Sequence, residues 1–161
     1  MDEHLLQLSQ GLGERLLARA WRVATAESCT GGGVAAAITA IPGSSAWFEY
    51  GIVSYANAAK EKLLGVSAAT LSREGAVSEA VVIEMARGAL ALSGADVAIA
   101  ISGVAGPSGG TAEKPVGTVW FGLALVSGET TTALKRFGGD RVEVQRQAVI
   151  FALEMLLNAA R

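Results

Sequence analysis

Apolar residues recur every three or four positions in several stretches of the chain, which is the spacing of an amphipathic helix. The clearest stretch is rich in leucine and covers about residues 3–19. Capping serines and terminal glycines mark the ends of others. The pattern predicts helices over about 3–19, over 33–40, over a short segment that ends at Gly65, over 67–73 and 79–93, and over about 141–158.

Strand-forming runs lie between these helices, at 22–26, 47–55, 96–102, 116–126 and 130–137. The third run contains Val97-Ala98-Ile99-Ala100-Ile101, which shows no polar alternation. We therefore expect it to be buried on both faces and central in the sheet. The last two runs are separated by Ser127-Gly128-Glu129, which predicts an antiparallel hairpin. Together the runs predict an α/β fold with a mixed sheet.

Composition narrows the classes of partner. The 161 residues, 51% of them hydrophobic, suit a single domain over residues 1–161. The 13 basic and 15 acidic side chains include no basic run, so nucleic acid is not an expected partner. The chain begins with acids instead of a positive signal region, and no apolar run has the length of a membrane span. We expect a cytoplasmic protein that does not bind membranes.

The chain has one cysteine and one histidine, Cys29 and His4. These counts exclude an intrachain disulfide and a zinc-type cluster, so no metal site is expected. His4 lies near the terminus, where it is a poor base for a Ser-His-Asp triad. A serine nucleophile would need another base, and lysine suits this role because burial can lower its pKa. Cys29 is interpreted as structural, with a nucleophilic role as the alternative.

One glycine-rich turn has the features of a nucleophile site. The residues Thr25-Ala26-Glu27-Ser28-Cys29-Thr30-Gly31-Gly32-Gly33 follow a predicted strand and lead into an alanine-rich helix. Glycines allow a ligand close to the backbone, and the free N–H groups of a helix start attract negative charge. Ser28 therefore lies where an attacking hydroxyl and anion-stabilising donors can coexist. A turn of this kind can also be purely structural.

Lys60 is the candidate base. In the predicted helix it shares a face with Ala56, Leu63 and Leu64, whereas Lys62 points away from that face. A lysine on an apolar face either extends its amine past the core edge to water or is desolvated for use as a base. Helical spacing alone leaves both interpretations open.

Two further features point to a ligand site. The loop Ser102-Gly103-Val104-Ala105-Gly106-Pro107-Ser108-Gly109-Gly110 follows the central strand, and open α/β sheets bind ligands at this end of their strands. A surface loop rich in turn formers is the alternative. Arg141 lies in the first turn of the last helix, where a cation is disfavoured, which hints at a function. An exposed arginine without a function is the other interpretation.

Several stretches together resemble the CinA carboxy-terminal domain family in its free-standing form, the nicotinamide-nucleotide amidases. They are Ala26-Glu27-Ser28-Cys29-Thr30-Gly31-Gly32, Pro42-Gly43-Ser44-Ser45, Tyr55-Ala56-Asn57-Ala58-Ala59-Lys60, Gly75-Ala76-Val77-Ser78, Ser102-Gly103-Val104-Ala105-Gly106-Pro107, Lys114-Pro115-Val116-Gly117-Thr118-Val119 and Gly139-Asp140-Arg141. The resemblance extends from about residue 5 to residue 158. The first and third stretches form a specific combination, because the glycine loops alone occur in many proteins.

The resemblance implies a fold and an activity. The fold is a three-layer α/β/α sandwich with a mixed, mostly parallel sheet that includes the C-terminal antiparallel hairpin. The activity is hydrolysis of the carboxamide of nicotinamide mononucleotide to nicotinate mononucleotide and ammonia. The resemblance further implies a homodimer that uses no metal or organic cofactor.

The resemblance also implies roles for individual residues. Ser28 would be the nucleophile, Lys60 its general base, and Tyr55 would assist by hydrogen bonding. Arg141 would bind the substrate, with the phosphate as its candidate partner. The remaining candidates for contact with the substrate are Thr30, Gly31 and Gly32 on one wall, and Gly103, Ala105 and Gly106 on the other.

Two other functions fit the same residues. Domains of this family also form the tail of longer competence-associated proteins, so the domain could bind a nucleotide or a protein without catalysis. It could also be an amidase for another small amide, because the shape of the pocket decides specificity.

Overall fold

A computed structural model describes all residues, Met1–Arg161. The elements in chain order are α1 (Glu3–Arg19), β1 (Val23–Glu27), α2 (Gly33–Thr39), a 3₁₀ turn (Ser44–Ala46), β2 (Phe48–Val53), α3 (Asn57–Leu64), α4 (Ala68–Glu74), α5 (Glu79–Ser93), β3 (Val97–Gly103), β4 (Thr118–Leu125), β5 (Thr130–Arg136) and α6 (Arg141–Ala159). The predicted helices and strands are all present, and each boundary agrees within two residues. None of the helices has the length and apolar character that crossing a membrane requires.

The five strands form one mixed sheet in the order β2-β1-β3-β4-β5. Strand β1 pairs in parallel with β2 and with β3, whereas β4 is antiparallel to both β3 and β5. Four strands therefore point the same way and β4 opposes them. The central position predicted for 96–102 is confirmed, because β3 lies in the middle of the sheet and only its last residue is partly exposed.

Helices cover both faces of the sheet, which confirms the three-layer arrangement. On one face, large side chains of the strands, such as Ile99 and Phe121, pack with residues of α1, α2 and α6. On the other face the strands present small side chains, such as Ala26 and Ala100, to α5. The alternation arises because successive strand residues point to opposite faces. Alanines on the second face let α5 lie close to the sheet.

The parallel part of the sheet brings two chain segments together at one edge. The Ser28 N–H donates to the Ile101 carbonyl at 2.9 Å, so the pairing of β1 with β3 continues one residue beyond β1. The Ser54 N–H donates to the Glu27 carbonyl at 2.8 Å in the same way on the β2 side. The segment after β2, which leads into α3, therefore lies beside the turn that carries Ser28.

Gly88 lets α3 pack against α5. A Cβ atom at Gly88 would overlap the backbone carbonyl of Leu64, the last residue of α3. The absence of a side chain at Gly88 therefore sets the distance between α5 and the helix that carries Lys60.

We expect Gly88→Ala to destabilise the fold by about 1–3 kcal/mol, because the backbone of α3 must move to relieve the overlap. Gly11→Ala in α1 is the matched control, since its Cβ would only touch Leu157 Cδ2 at 3.7 Å. A better helix former there should be neutral or stabilising by up to about 1 kcal/mol. Urea unfolding measures both, and equal stability of the two variants would contradict the role of Gly88.

Candidate active site

The structure brings Ser28 and Lys60 into direct contact. Ser28 is the first residue after β1, and Lys60 lies in the middle of α3. Lys60 Nζ is 3.0 Å from Ser28 Oγ. Lys60 is 1% exposed and Ser28 is 8% exposed. The contact thus joins a hydroxyl and an amine across 32 residues of chain, in a place largely shielded from water.

Lys60 contacts only neutral oxygen atoms. Besides Ser28 Oγ, its amine donates to the Ser54 carbonyl at 2.8 Å and to the Tyr55 carbonyl at 3.3 Å. Burial lowers the pKa of the Lys60 amine below its ordinary value of 10.5. A neutral amine has two N–H groups and one lone pair, which fit two carbonyls and one hydroxyl. The lowered pKa brings the neutral form, which can accept a proton, closer to neutral pH.

The neighbouring lysine takes no part in this contact. Lys62 is exposed to solvent, whereas Lys60 is buried. The structure therefore confirms that Lys60 is the inward-facing lysine of α3. Of the two interpretations of Lys60, the one in which its amine extends past the core edge to water is not supported, because the amine ends inside the protein.

Cys29 is a structural residue. Its side chain belongs to the apolar core on the α1 and α6 face of the sheet. Burial raises the pKa of the Cys29 thiol to about 12, so it stays protonated at neutral pH. A buried, protonated thiol is a poor nucleophile, and the alternative role for Cys29 is not supported.

The start of helix α2 is capped by the chain's own carboxylate, Glu27. This side chain is 1% exposed and accepts hydrogen bonds from Thr30 Oγ1 at 2.6 Å, Val34 N at 2.9 Å and Ala35 N at 3.0 Å. A carboxylate is the favoured partner of a helix amino terminus. Sequence reasoning missed this role. The available signal was an acid at the end of an apolar strand, a few residues before a helix start.

The capping by Glu27 leaves fewer hydrogen-bond donors of the turn free for a substrate. The Thr30 hydroxyl is bound to Glu27, and the Gly31 N–H donates to the Ser28 carbonyl at 3.0 Å. Thr30, Gly31 and Gly32 do not line the cavity that contains Ser28. Their role as a substrate cradle stays a prediction. The residue next to Ser28 that does line the cavity is Cys29.

The cavity at Ser28 has a volume of about 330 Å³. Its lining includes the predicted Ser28, Tyr55, Lys60, Gly103, Ala105, Gly106 and Arg141, together with Cys29, Asn57, Ala76, Val77, Ser102, Val104, Ser108 and Gly109. A second cavity of about 450 Å³ shares Ala105 and Arg141 with it. A larger one of about 840 Å³ lies between α1 and the segment 40–42, and contains none of the predicted site residues. The side chains of Ser28, Lys60, Tyr55 and Arg141 thus all line the cavity of about 330 Å³.

Arg141 links three parts of the site. Its guanidinium donates to the Tyr55 hydroxyl at 2.8 Å and to the Gly106 carbonyl at 2.7 Å. These two hydrogen bonds stabilise Arg141 in the first turn of α6, where a cation is otherwise disfavoured. Tyr55 is 58% exposed; its phenol contacts Arg141, whereas its backbone carbonyl contacts Lys60.

Sequence reasoning also missed Ser102 as an individual residue. It is 1% exposed, lines the cavity, and its hydroxyl forms no hydrogen bond within the protein. Alternation along β1 and β3 places Ser28 and Ser102 on the same face as Ala26 and Ala100. Ser28 is therefore flanked by Lys60 on the β2 side and by Ser102 on the β3 side. The signal in the sequence was a hydroxyl residue that ends a wholly apolar strand.

Comparisons with known proteins agree on one family. Residues 5–160 match the sequence model of the CinA C-terminal domain. The chain is 57% identical over 157 residues to the nicotinamide-nucleotide amidohydrolase PncC of Enterobacter agglomerans, covering 98% of this chain and 96% of that protein. It is 57% identical to the protein of the same name from Escherichia coli K12, covering 96% and 94%. The crystal structure of the competence/damage inducible protein CihA from Agrobacterium tumefaciens superposes with a TM-score of 0.98 at 41% identity, covering 100% and 98%.

The lowered pKa of Lys60 predicts how stability depends on pH. The unfolded chain keeps the Lys60 proton up to the ordinary lysine pKa of 10.5, whereas the folded protein loses it at a lower pH. Between these two pKa values the unfolded state binds the extra proton, so raising the pH favours folding, by at most about 1.4 kcal/mol per pH unit.

We expect the free energy of unfolding of the wild type to rise relative to that of Lys60→Met as the pH increases toward 10.5. Urea unfolding at a series of pH values measures the difference, and Lys62→Met serves as the control. A difference between wild type and Lys60→Met that stays constant with pH would show that folding does not shift the Lys60 pKa.

Proposed function

Because the chain belongs to the CinA C-terminal domain family, we propose that it hydrolyses the carboxamide of nicotinamide mononucleotide to nicotinate mononucleotide and ammonia. The observation that carries the proposal is the 3.0 Å contact between Lys60 Nζ and Ser28 Oγ in a cavity. Relatives that bear the name nicotinamide-nucleotide amidohydrolase are 57% identical over nearly their full length, which supports the same substrate.

Acylation begins with transfer of the Ser28 proton. Neutral Lys60 takes this proton through its lone pair while its two N–H groups stay on the Ser54 and Tyr55 carbonyls. Ser28 Oγ attacks the carboxamide carbon, and the carbonyl oxygen gains the negative charge. We assign the stabilisation of this charge to the Cys29 N–H, which donates to no oxygen atom of the protein, and to the Ser102 hydroxyl on the β3 side of Ser28.

Collapse of the tetrahedral intermediate expels the amine. Protonated Lys60 returns its proton to the departing nitrogen, the C–N bond breaks, and ammonia leaves. The nicotinoyl group is then an ester on Ser28. Lys60, neutral again, takes a proton from water, which attacks the ester carbon. Return of this proton to Ser28 Oγ completes the cycle and releases nicotinate mononucleotide.

We assign the substrate's phosphate to Arg141. The amino terminus of α2 is a weaker candidate for this anion because the Glu27 carboxylate occupies it. Arg141 lies where the cavity at Ser28 meets the second cavity. A nucleotide whose ring lies at Ser28 could thus extend its ribose phosphate toward Arg141. The Tyr55 hydroxyl would hold the guanidinium in place.

The homodimer and the cytoplasmic location stay predictions. One surface suited to a second copy is strand β2, at the edge of the sheet, where Tyr50 and Val53 are 45% and 47% exposed. The one charged residue of β2, Glu49, forms an ion pair with Arg22, and exposed edge strands tend to pair. A sedimentation measurement that gives the mass of a single chain would contradict the dimer.

We expect Ser28→Ala and Lys60→Met each to lower the rate of ammonia release from nicotinamide mononucleotide about a thousandfold or more, because the two residues act as a unit. Lys62→Met should be near neutral, since Lys62 is exposed and outside the cavity. Ammonia assays on the four purified proteins measure this.

Two results would redirect the proposal. Saturable nucleotide binding by the wild type without ammonia release would indicate a non-catalytic binding module. Ammonia release from another small amide, lost in Ser28→Ala, would keep the Ser28–Lys60 chemistry and change the substrate. Equal activity of Lys60→Met and Lys62→Met would contradict the role of Lys60 as base.

We expect Arg141→Ala to lower kcat/KM for nicotinamide mononucleotide about 10- to 100-fold, because a charged hydrogen bond to the phosphate is lost. The loss for nicotinamide riboside, which lacks the phosphate, should be much smaller. Arg73→Ala is the control, because Arg73 forms only an exposed ion pair with Glu74. Equal losses for the two substrates would contradict the assignment of the phosphate to Arg141.

A further inference from the structure

We propose that Gln145 is a positioning residue for the reaction. By holding the Cys29 carbonyl it fixes the backbone of Cys29, so that the Cys29 N–H faces the reacting carboxamide at Ser28. This inference rests on the proposed function. It adds a residue of α6 that lies outside the cavity and acts through the residue next to the nucleophile.

The contact is direct and long-range. Gln145 Nε2 donates to the Cys29 carbonyl at 3.0 Å, across 116 residues of the chain. Gln145 lies one helical turn after Arg141 in α6, so both side chains project from the same side of this helix. Gln145 is half-buried and is not among the residues that line the cavity at Ser28. Its effect on a substrate must therefore pass through Cys29.

Hydrogen bonds within the protein hold three of the four backbone N–H and carbonyl groups of Ser28 and Cys29. The Ser28 N–H donates to the Ile101 carbonyl at 2.9 Å, and the Ser28 carbonyl accepts from the Gly31 N–H at 3.0 Å. The Cys29 carbonyl accepts from Gln145. The Cys29 N–H donates to no oxygen atom of the protein. Cys29 lines the cavity and its side chain belongs to the core, from which we infer that its backbone faces the substrate.

A free N–H immediately after a nucleophilic serine is well suited to stabilise an oxyanion. Such a donor is effective only if its direction is set before the reaction, because reorientation during the reaction costs free energy. Two of the four backbone groups of Ser28 and Cys29, the Ser28 N–H and the Ser28 carbonyl, are held by other backbone atoms. A third, the Cys29 N–H, is left free for the substrate. The Cys29 carbonyl alone depends on a side chain, and that side chain is Gln145.

Helix α6 supplies a matched control for this role. Gln147 is also half-buried, and its Nε2 also donates to backbone carbonyls, those of Gly138 at 2.8 Å and Glu143 at 3.1 Å. Neither of these carbonyls belongs to the turn that carries Ser28. Methionine has nearly the size of glutamine and cannot donate a hydrogen bond, so Gln145→Met and Gln147→Met remove one donor each with little change in packing.

The kinetic test measures ammonia release from nicotinamide mononucleotide by the wild type, Gln145→Met, Gln147→Met and Ser28→Ala. We expect Gln145→Met to lower kcat about 10- to 100-fold, below the 10²- to 10³-fold loss typical of deleting an oxyanion donor. The KM for nicotinamide mononucleotide and the inhibition constant of ribose 5-phosphate should change less than threefold. Gln147→Met should keep kcat within about twofold of the wild type.

A second test does not depend on catalysis. Because Cys29 is the only cysteine, labelling with [¹⁵N]cysteine gives one backbone amide signal. We expect Gln145→Met to shift or broaden this signal and Gln147→Met to leave it in place. In the wild type, nicotinate mononucleotide should shift it as well, since the product's carboxylate oxygen takes the place of the oxyanion.

The possible results distinguish a failure of the inference on Gln145 from a failure of the proposed function. If Ser28→Ala abolishes ammonia release and the two methionine variants behave alike, the inference on Gln145 is wrong and the proposed function stands. A moved Cys29 signal with unchanged kcat would also overturn it, as would a loss of kcat that is explained by a lowered Tm. If the wild type releases no ammonia or Ser28→Ala retains the activity, the proposed function fails and the inference fails with it.

Discussion

The site depends on one physical constraint, a lysine amine buried without an acidic partner. Lys60 is 1% exposed, and its three contacts are a hydroxyl and two backbone carbonyls. A charged amine in this place would lose its hydration and gain no opposite charge, which is why its pKa is lowered. The free energy spent on burying Lys60 thus makes the neutral form of its amine accessible at a lower pH than for an exposed lysine. The fold supports this arrangement by packing α3 tightly against α5 at Gly88.

Charges elsewhere in the site are kept apart from Lys60. The Glu27 carboxylate points to the opposite face of β1, where it caps α2 and binds Thr30. Arg141 lies at the far side of the cavity on Tyr55 and Gly106. Strand alternation achieves the first separation, because Glu27 and Ser28 are adjacent and must point to opposite faces. The centre of the cavity is left with neutral hydrogen-bonding groups around Ser28 and Lys60.

The sequence predicted the elements of the fold well because hydrophobic spacing and capping residues report directly on local structure. The inward direction of Lys60 followed from the same helical spacing, and the central place of β3 followed from its uninterrupted apolar run. Contacts between distant segments could not be predicted in this way. The capping of α2 by Glu27 and the contact of Gln145 with Cys29 depend on how the turn folds back and where α6 lies.

The glycine turn shows the limit most clearly. Its composition indicated a helix start with free N–H groups, and the structure does contain that helix start. The groups at its amino terminus are nevertheless occupied by Glu27, a residue that the motif itself contains. Hydrogen-bond donors around a turn are shared between the protein and any ligand, and spacing along the chain does not tell which partner takes them. Ser102 was missed for a related reason, since its value lies in having no partner within the protein.

The central claim is that folding lowers the pKa of the Lys60 amine beside Ser28, and the most direct measurement is its titration. NMR of the protein labelled with [¹³C]lysine follows the side chains of Lys60, Lys62, Lys114 and Lys135, and Lys60→Met assigns the signal of Lys60. We predict that the Lys60 signal titrates below the ordinary lysine value of 10.5. A Lys60 signal that titrates at or above 10.5 would contradict the account, because folding would then not favour the form of the amine that can take the Ser28 proton.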